Sequence, residues 1–449
     1  MNATERFLDG LHRADLLRVH GRVIRSIGAV VEASGPPSFV GEICRIDTGR
    51  NDRPILAEVV GFADGRVLLM PWERSDGLRP GSEVVGTGRA LSVETGDKLL
   101  GRVLDGLGRP IDGLGPIQRG ERRLVRGPRL APLDRVASRE SFVTGVRSID
   151  GFVTVARGQR LGLFAGGGVG KSVLLGMIAR SSVADVNVLA LVGERGREVV
   201  DFLENELGPE GRRRSVVIAA TSDDSPLQRV QAARVAAAVA ESFRDLGKNV
   251  LLLMDSLTRV AMAQREIGLA AGEPPATRGY PPSSFAMLPE IVERAGATRA
   301  GSITGFYTVL LEGDDIDAPV SDAARAVLDG HIVLSREMAV AGIYPAVDII
   351  ESVSRLRDDV QDADMNRAAR DVIELEGTRR SMADLLSIGA YKTGTNPRVD
   401  RAVRLEERLR SFQRQPRDEA SSWNDTRSAL LELRASSLEA MIVPTANGA

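Results

Sequence analysis

The segment Ala165-Gly166-Gly167-Gly168-Val169-Gly170-Lys171-Ser172 restricts this chain more than any other. It follows the apolar run QRLGLF, read as a buried strand, and leads into KSVLLGMIAR, whose spacing predicts a helix. A strand, a glycine-rich turn and a helix in that order make a phosphate loop. The glycines let main-chain N–H groups converge on phosphate oxygens with no Cβ in the way, and the helix start adds dipole and unpaired donors. Lys171 is placed to reach the β- and γ-phosphates, and the Ser172 hydroxyl to hold Mg²⁺. Gly166, Gly167, Gly168, Val169, Gly170 and Val173 complete the expected nucleotide contacts, and ATP with Mg²⁺ is the implied ligand. The strict pattern has glycine at 165, where this chain has alanine.

Around the loop, apolar runs alternate with helical patterns. NVLALVG, SVVIAAT, NVLLLMD, ITGFYTVLLEGDD and GHIVLS read as strands, and LQRVQAARVAAAVAESFRDLG as a long amphipathic helix. Such alternation predicts crossovers onto a mostly parallel sheet. Residues 21–90 differ, with short β-rich runs broken by glycine, proline and aspartate, as in a small closed barrel. The basic stretch 119–129 reads as a solvated linker, and the pattern beyond about 360 is helical. The expected divisions are 1–20, a partner-binding helix or tail; 21–93, a β-barrel; 94–360, the nucleotide-binding domain; and 361–449, a helical domain with a frayed ANGA end.

Hydrolysis needs more than a phosphate grip. Asp255 ends the VLLLMD strand, where it can support Mg²⁺ through water or cap the helix that follows. Glu194 ends LALVGE and can polarise a water aimed at the γ-phosphorus; otherwise GERGRE is a solvated charge run. Arg195 and Arg259, each just past a strand end, can contact phosphate or the carboxylates. Arg355, after SVS, is either surface decoration or an arginine finger reaching across a subunit boundary. Tyr344 is structural or stacks on adenine.

Composition trims the alternatives. Hydrophobic residues make up 43% and charged residues 27% of the 449, enough for a sizeable core. Aromatics at 4% and a net charge of −2 argue against a nucleic-acid-binding surface. The single cysteine, Cys44, reads as a small core hydrophobe, and three scattered histidines make no metal cluster. The start MNATERFLDG is charged where a signal peptide is apolar, and no apolar run approaches membrane-spanning length. The expectation is a cytoplasmic protein that meets the membrane peripherally, through partners.

The segments TGVRSIDGF, RGQRLGLFAGGGVGKSVLLGMIAR, GERGREVVDFLEN, RSVVIAATSDDSPLQRVQA, LLLMDSLTRVAMAQREIGLAAGEPPATRGYPPS, LDGHIVLSRE and GIYPAVDIIESVSR together resemble the catalytic subunits of rotary ATP synthases. Within that superfamily the chain is most similar to the ATPase of the flagellar type III protein-export apparatus, with the injectisome secretion ATPase the close relative. The resemblance implies an α/β fold: a RecA-like P-loop core with a mostly parallel sheet, a small N-terminal β-barrel and a C-terminal helical domain. It assigns Lys171 and Ser172 to phosphate and Mg²⁺, Glu194 to water activation, Asp255 to magnesium, and Arg195 and Arg259 to the phosphate site. Arg355 would be the finger, Tyr344 would face adenine, and Gln415 in FQRQPRD would close the other side of the base pocket.

A homohexamer is also implied, with a stator-like regulator at the N-terminus, a coiled-coil stalk, an export gate, chaperones and export substrates. Three features depart from the family: Gly167 in place of serine, Val260 in place of tyrosine, and a short loop, ATRA, at 297–300. Val260 leaves open whether packing or a subunit contact changes. The injectisome secretion ATPase is the first competing reading; a proton-driven ATP synthase subunit, a hexameric RNA helicase and an inactive nucleotide-binding scaffold are the more distant ones. The presence of Glu194 and Arg355 in one chain weighs against the synthase subunit and the scaffold.

Overall fold

The computed structural model describes residues 19–49, 53–127, 130–137, 139–311, 313 and 315–439. The expected N-terminal helix and the ANGA end therefore lie almost wholly or wholly outside the described residues.

Strict alternation builds the first unit. In Glu42–Asp47 the side chains alternate between core and surface, and Cys44 and Ile46 are fully buried. Six strands, His20–Ile27, Val30–Ala33, Arg66–Pro71, Ile55–Ala63, Glu42–Asp47 and Glu83–Ala90 in spatial order, close into a barrel. Closure removes the edges that short polar-faced strands would otherwise leave unpaired. Val23, Val31, Ala57, Val59, Leu69 and Val84 fill the inside with Cys44.

The central sheet runs, in spatial order, Val347–Ser354, Gly330–Leu334, Arg160–Ala165, Ser302–Leu310, Asn249–Asp255, Val186–Glu194, Ser215–Thr221 and Val103–Leu104. Its long inner strands are parallel and buried on both faces, which is why they read as unbroken apolar runs. Only Val347–Ser354, at one edge, and the short Gly296–Ala297 pair antiparallel. Because every inner strand points the same way, Ala165, Glu194 and Asp255 all arrive at one rim.

Two expectations change in the structure. The helix Pro226–Asp245 is not amphipathic in its setting: from Leu227 to Arg244 every residue but Arg229 is buried. Alanines let neighbours approach closely, and its charges are matched, Glu241 taking a bidentate fork from Arg294 at 2.7 Å on each oxygen. The basic stretch 119–129 is exposed over most of its described residues, as expected of a linker, but it is also pinned at two arginines. Its Arg122–Leu124 pairs with Ser92–Glu94, Arg123 reaches Asp245 at 2.7 Å, and Arg126 reaches the buried Glu58 of the barrel at 3.0 Å. Gln231 donates to the other Glu58 oxygen at 2.6 Å. Arg123 and Arg126 thus stitch barrel to sheet domain, while Arg119 and Arg122 stay exposed.

Beyond the sheet, helices Ala363–Ser381, Pro397–Gln413 and Trp423–Glu439 pack together and onto the short helix Arg147–Phe152. Phe152 and Phe412 meet edge to face at 5.4 Å. No helix among the described residues is long and apolar enough to cross a membrane.

Val260 is fully buried in the main core, on the helix Leu257–Ala270. The valine is therefore a packing feature and not a surface contact. V260Y should lower the melting temperature by a few degrees, an overpacking cost of about 1–3 kcal/mol, with subunit association unaltered. Thermal unfolding and gel filtration of the same sample check it; changed association at unchanged melting temperature would contradict the core placement.

Candidate active site

The phosphate loop leaves the Arg160–Ala165 strand and enters the helix Lys171–Ser181, with Gly170 in the left-handed region at φ +90 as its N-cap. A Cβ built on Gly170 would lie 3.3 Å from the Tyr344 ring, so glycine is needed there for both backbone and space. A Cβ on Gly167 or Gly168 would meet nothing within 4 Å, so both glycines border open space. Only Gly168 of these two has positive φ, at +77, so the glycine at 167 is not a backbone requirement.

Lys171 is the hub. Its ammonium forms a short ion pair with Asp255 Oδ1 and lies 3.4 Å from Glu194 Oε1, its side chain only 13% exposed. The Thr308 hydroxyl donates to the same Asp255 oxygen at 2.7 Å. Asp255 does not cap the following helix; Ser256 does, accepting from Arg259 N–H at 3.2 Å. Burial pushes the Glu194 carboxyl above its ordinary range and its neighbour Glu198 pushes it further, against the opposing pull of Lys171. A carboxylate poised that way is a better proton acceptor than an exposed one.

Arg259 lays its stem along Gly193, where an added Cβ would come within 2.9 Å of it. Its Nε is buried and has no hydrogen-bond partner. An unpaired cationic donor beside Lys171's carboxylates and an open glycine cradle fit a polyphosphate with its counter-cation. Ser172, exposed one residue past Lys171, supplies a hydroxyl on that rim, as a Mg²⁺ ligand set of hydroxyl and Asp255 requires.

Not every expected residue joins this cluster. Arg195 is the residue before the helix Gly196–Asp201, its side chain 82% exposed and turned back to Glu198 at 3.3 Å. Through Glu198 it is tied to the Glu194 carboxyl, while its guanidinium stays open to solvent. Gln415 is a correction. Its Oε1 accepts from Arg147 N–H at 2.8 Å, and its Nε2 donates to the carbonyls of Gly145 at 2.7 Å and Glu419 at 2.8 Å. With both donors and the oxygen engaged, the side chain braces the helical domain rather than facing a base. Only its main-chain N–H approaches the pocket, donating to Tyr344 O at 2.9 Å.

Thr308 and Glu198 belong to the site yet escaped the sequence reading. Thr308 left one signal, a hydroxyl within a strand otherwise suited to full burial. Glu198 is four residues past Glu194, a spacing that means little until strand and helix meet.

Arg355 lies elsewhere. Its strand starts at the phosphate end, Val347 opposite Leu334, and runs antiparallel to Gly330, opposite Ser354. Leu334 is in register with Ala165. Arg355, opposite Asp329, thus sits about 16 Å down the sheet from the loop level, about five residues at strand rise, and two strands to the side. It is exposed, and among the described residues its side chain has no hydrogen bond or ion pair.

A phosphate loop, two strand-end carboxylates and a RecA-like parallel sheet between a barrel and a helical domain define a P-loop nucleotide hydrolase. Residues 145–354 match the ATP synthase alpha/beta family, nucleotide-binding domain; 23–88 match its beta-barrel domain; and 361–432 match the T3SS EscN ATPase C-terminal domain. The chain belongs to the ATP synthase alpha/beta family, in its type III export branch. It is 50% identical over 428 residues to the flagellum-specific ATP synthase of Treponema pallidum, covering 95% of this chain and 96% of that one. The assembled ATPase EscN of the enteropathogenic E. coli type III secretion system superposes with a TM-score of 0.87 at 41% identity, covering 92% of this chain and 100% of that one. EscN in complex with its central stalk EscO gives 0.85 at 41% identity, with the same coverage.

Two outcomes follow from the geometry. G167S should bind and hydrolyse ATP within about twofold of wild type, a change of about 0.5 kcal/mol or less, whereas G170A should lose nucleotide binding; fluorescent-nucleotide titration checks both. The acidic limb of kcat should lie above the ordinary carboxylate range, because Glu194 takes up its proton early as pH falls. E198Q removes one cause of that upward shift, so the limb should move to lower pH in a pH–rate profile.

Proposed function

We propose that this chain hydrolyses Mg-ATP as the single subunit type of a homohexameric ring that energises export of flagellar proteins through the type III apparatus. One observation carries it: the chain holds a complete phosphate and carboxylate site together with an exposed, unpaired Arg355 that its own geometry keeps from that site. A head-to-tail ring supplies the missing cation at every interface, and cyclic closure needs only one kind of subunit.

On this reading the ATP phosphates draw the Lys171 ammonium away from Asp255 and Glu194, and Arg259 gains the anion its Nε lacks. Ser172 and Asp255 would hold Mg²⁺, which when bound offsets charge on the β- and γ-oxygens. Released from Lys171, Glu194 accepts a hydrogen bond from water and orients it in line with the γ-phosphorus. Arg355 of the adjacent protomer stabilises charge developing on the transferred group. Tyr344, 45% exposed beside the loop, offers its ring to the adenine.

The relatives support the setting. EscN is described as an assembled ATPase and with a central stalk, so a coiled-coil stalk within the ring is the matching partner here. A stator-like regulator at the N-terminal region, the export gate, chaperones and their substrates complete the proposal. The ring would work in the cytoplasm, held peripherally at the inner membrane face by those partners. The divisions 1–20, 21–93, 94–360 and 361–449 remain our reading of the domain limits.

R355A should reduce kcat by about 10³–10⁵-fold while leaving ATP affinity nearly unchanged. E194Q should likewise bind without turnover. Mixing the two inactive variants should restore phosphate release at hybrid interfaces, and assembled mixtures that stay inactive would remove the shared-site reading.

A further inference from the structure

The strand that carries Arg355 is not regular. His331 pairs with Val353 and Val333 with Asp348, so five steps on one strand oppose two on its partner. Asp348 organises the excess: its Oδ1 accepts from the N–H groups of Ile350 at 2.9 Å and Glu351 at 3.2 Å. Ser352 Oγ in turn accepts from Val333 N–H at 2.9 Å. A bulge of this kind re-aims the residues that follow it, and here those are Ser354 and Arg355.

The other oxygen of Asp348 is held from a different domain. Arg380, at the end of the helix Ala363–Ser381, reaches Asp348 Oδ2 at 2.8 Å and Glu351 Oε1 at 3.7 Å, spanning the bulge. Asp348 is buried, its side chain 7% exposed, and that guanidinium and the two N–H groups hold its two oxygens in place. Gln413 donates to Val347 O at 3.2 Å nearby. Directly past Arg380 the chain forms the short helix Ala383–Ser387, with Leu385 45% and Ile388 75% exposed. The outer tip of the helical domain is therefore joined through Arg380 to the bulge.

We infer that Arg380 and Asp348 are a positioning pair: by fixing the bulge they aim Arg355 at the neighbouring protomer's nucleotide, so the helical domain sets turnover next door rather than in its own subunit. The inference rests on the finger reading above. Neither residue touches ATP. Their effect must appear in kcat and in trans, because the site being completed belongs to another chain.

R380Q and D348N test this. Asparagine keeps an acceptor for the bulge N–H groups, so D348N guards against misfolding. Each should lower kcat about tenfold or more, since misplacing a stabilising group by 1 Å can cost on the order of 10²-fold, with fluorescent-ATP affinity and ring assembly unchanged. The double variant should be little worse than either single one. Mixed with E194Q, R380Q should regain turnover, because its intact site then receives a well-aimed Arg355; mixed with R355A it should not. If E194Q with R355A recovers but R380Q with E194Q does not, Arg380 acts within its own subunit and the inference is wrong while the finger reading stands. If neither mixture recovers once assembled, the finger reading fails and takes this inference with it. Independent, additive losses in R380Q and D348N would also overturn the pairing.

Discussion

Two carboxylates, the half-buried Glu194 and the buried Asp255, end adjacent parallel strands and face one ammonium, that of Lys171, at the start of the helix after a third. Two like charges withdrawn from water side by side are costly without a counter-ion. Breaking a buried pair on one side costs about 3–5 kcal/mol, so the lysine holds the rim together as well as serving substrate. Polyphosphate offers Lys171 a stronger partner, and the carboxylates are then free for water and metal. Binding and activation are in this way one exchange of partners at a single nitrogen atom.

That exchange has a geometric complement. All inner strands of the sheet are parallel, which gathers the loop and both acids at one rim. The edge strand runs the other way, so it begins beside the loop with Tyr344 and ends far from it with Arg355. A single antiparallel reversal thus places base-side and finger-side residues of one segment at opposite ends of the sheet, suited to two different nucleotides. The helical domain grips this segment through Gln415 N–H on Tyr344 O, Gln413 on Val347 O and Arg380 on Asp348. The barrel is fastened just as firmly at the opposite side, through Glu58, Arg126 and Gln231.

Much of this was legible beforehand because the signals are local. A phosphate loop is a contiguous run of residue types whose backbone demands are visible in the letters, and strand-end acids follow directly from apolar runs. The errors came where charge had to be judged without neighbours. Arg123 and Arg126 look solvated until Asp245 and Glu58 meet them. Gln415 looks free until Gly145, Arg147 and Glu419 engage its amide. The alanine-rich helix Pro226–Asp245 looks two-faced until structure covers its polar side.

By itself, the sequence determined the chemistry on offer: a nucleotide cradle, a lysine, two strand-end acids and a detached arginine, on a parallel sheet between a barrel and helices. Those follow from local periodicity, glycine spacing and residue type. Tertiary structure alone decided which charges share a partner. It drew Thr308 and Glu198 into the site, turned the Gln415 side chain out of it, and set Arg355 beyond reach of its own loop. The physical reason is that side-chain pairing depends on strand order and direction, which join residues hundreds of positions apart and leave no pattern along the chain.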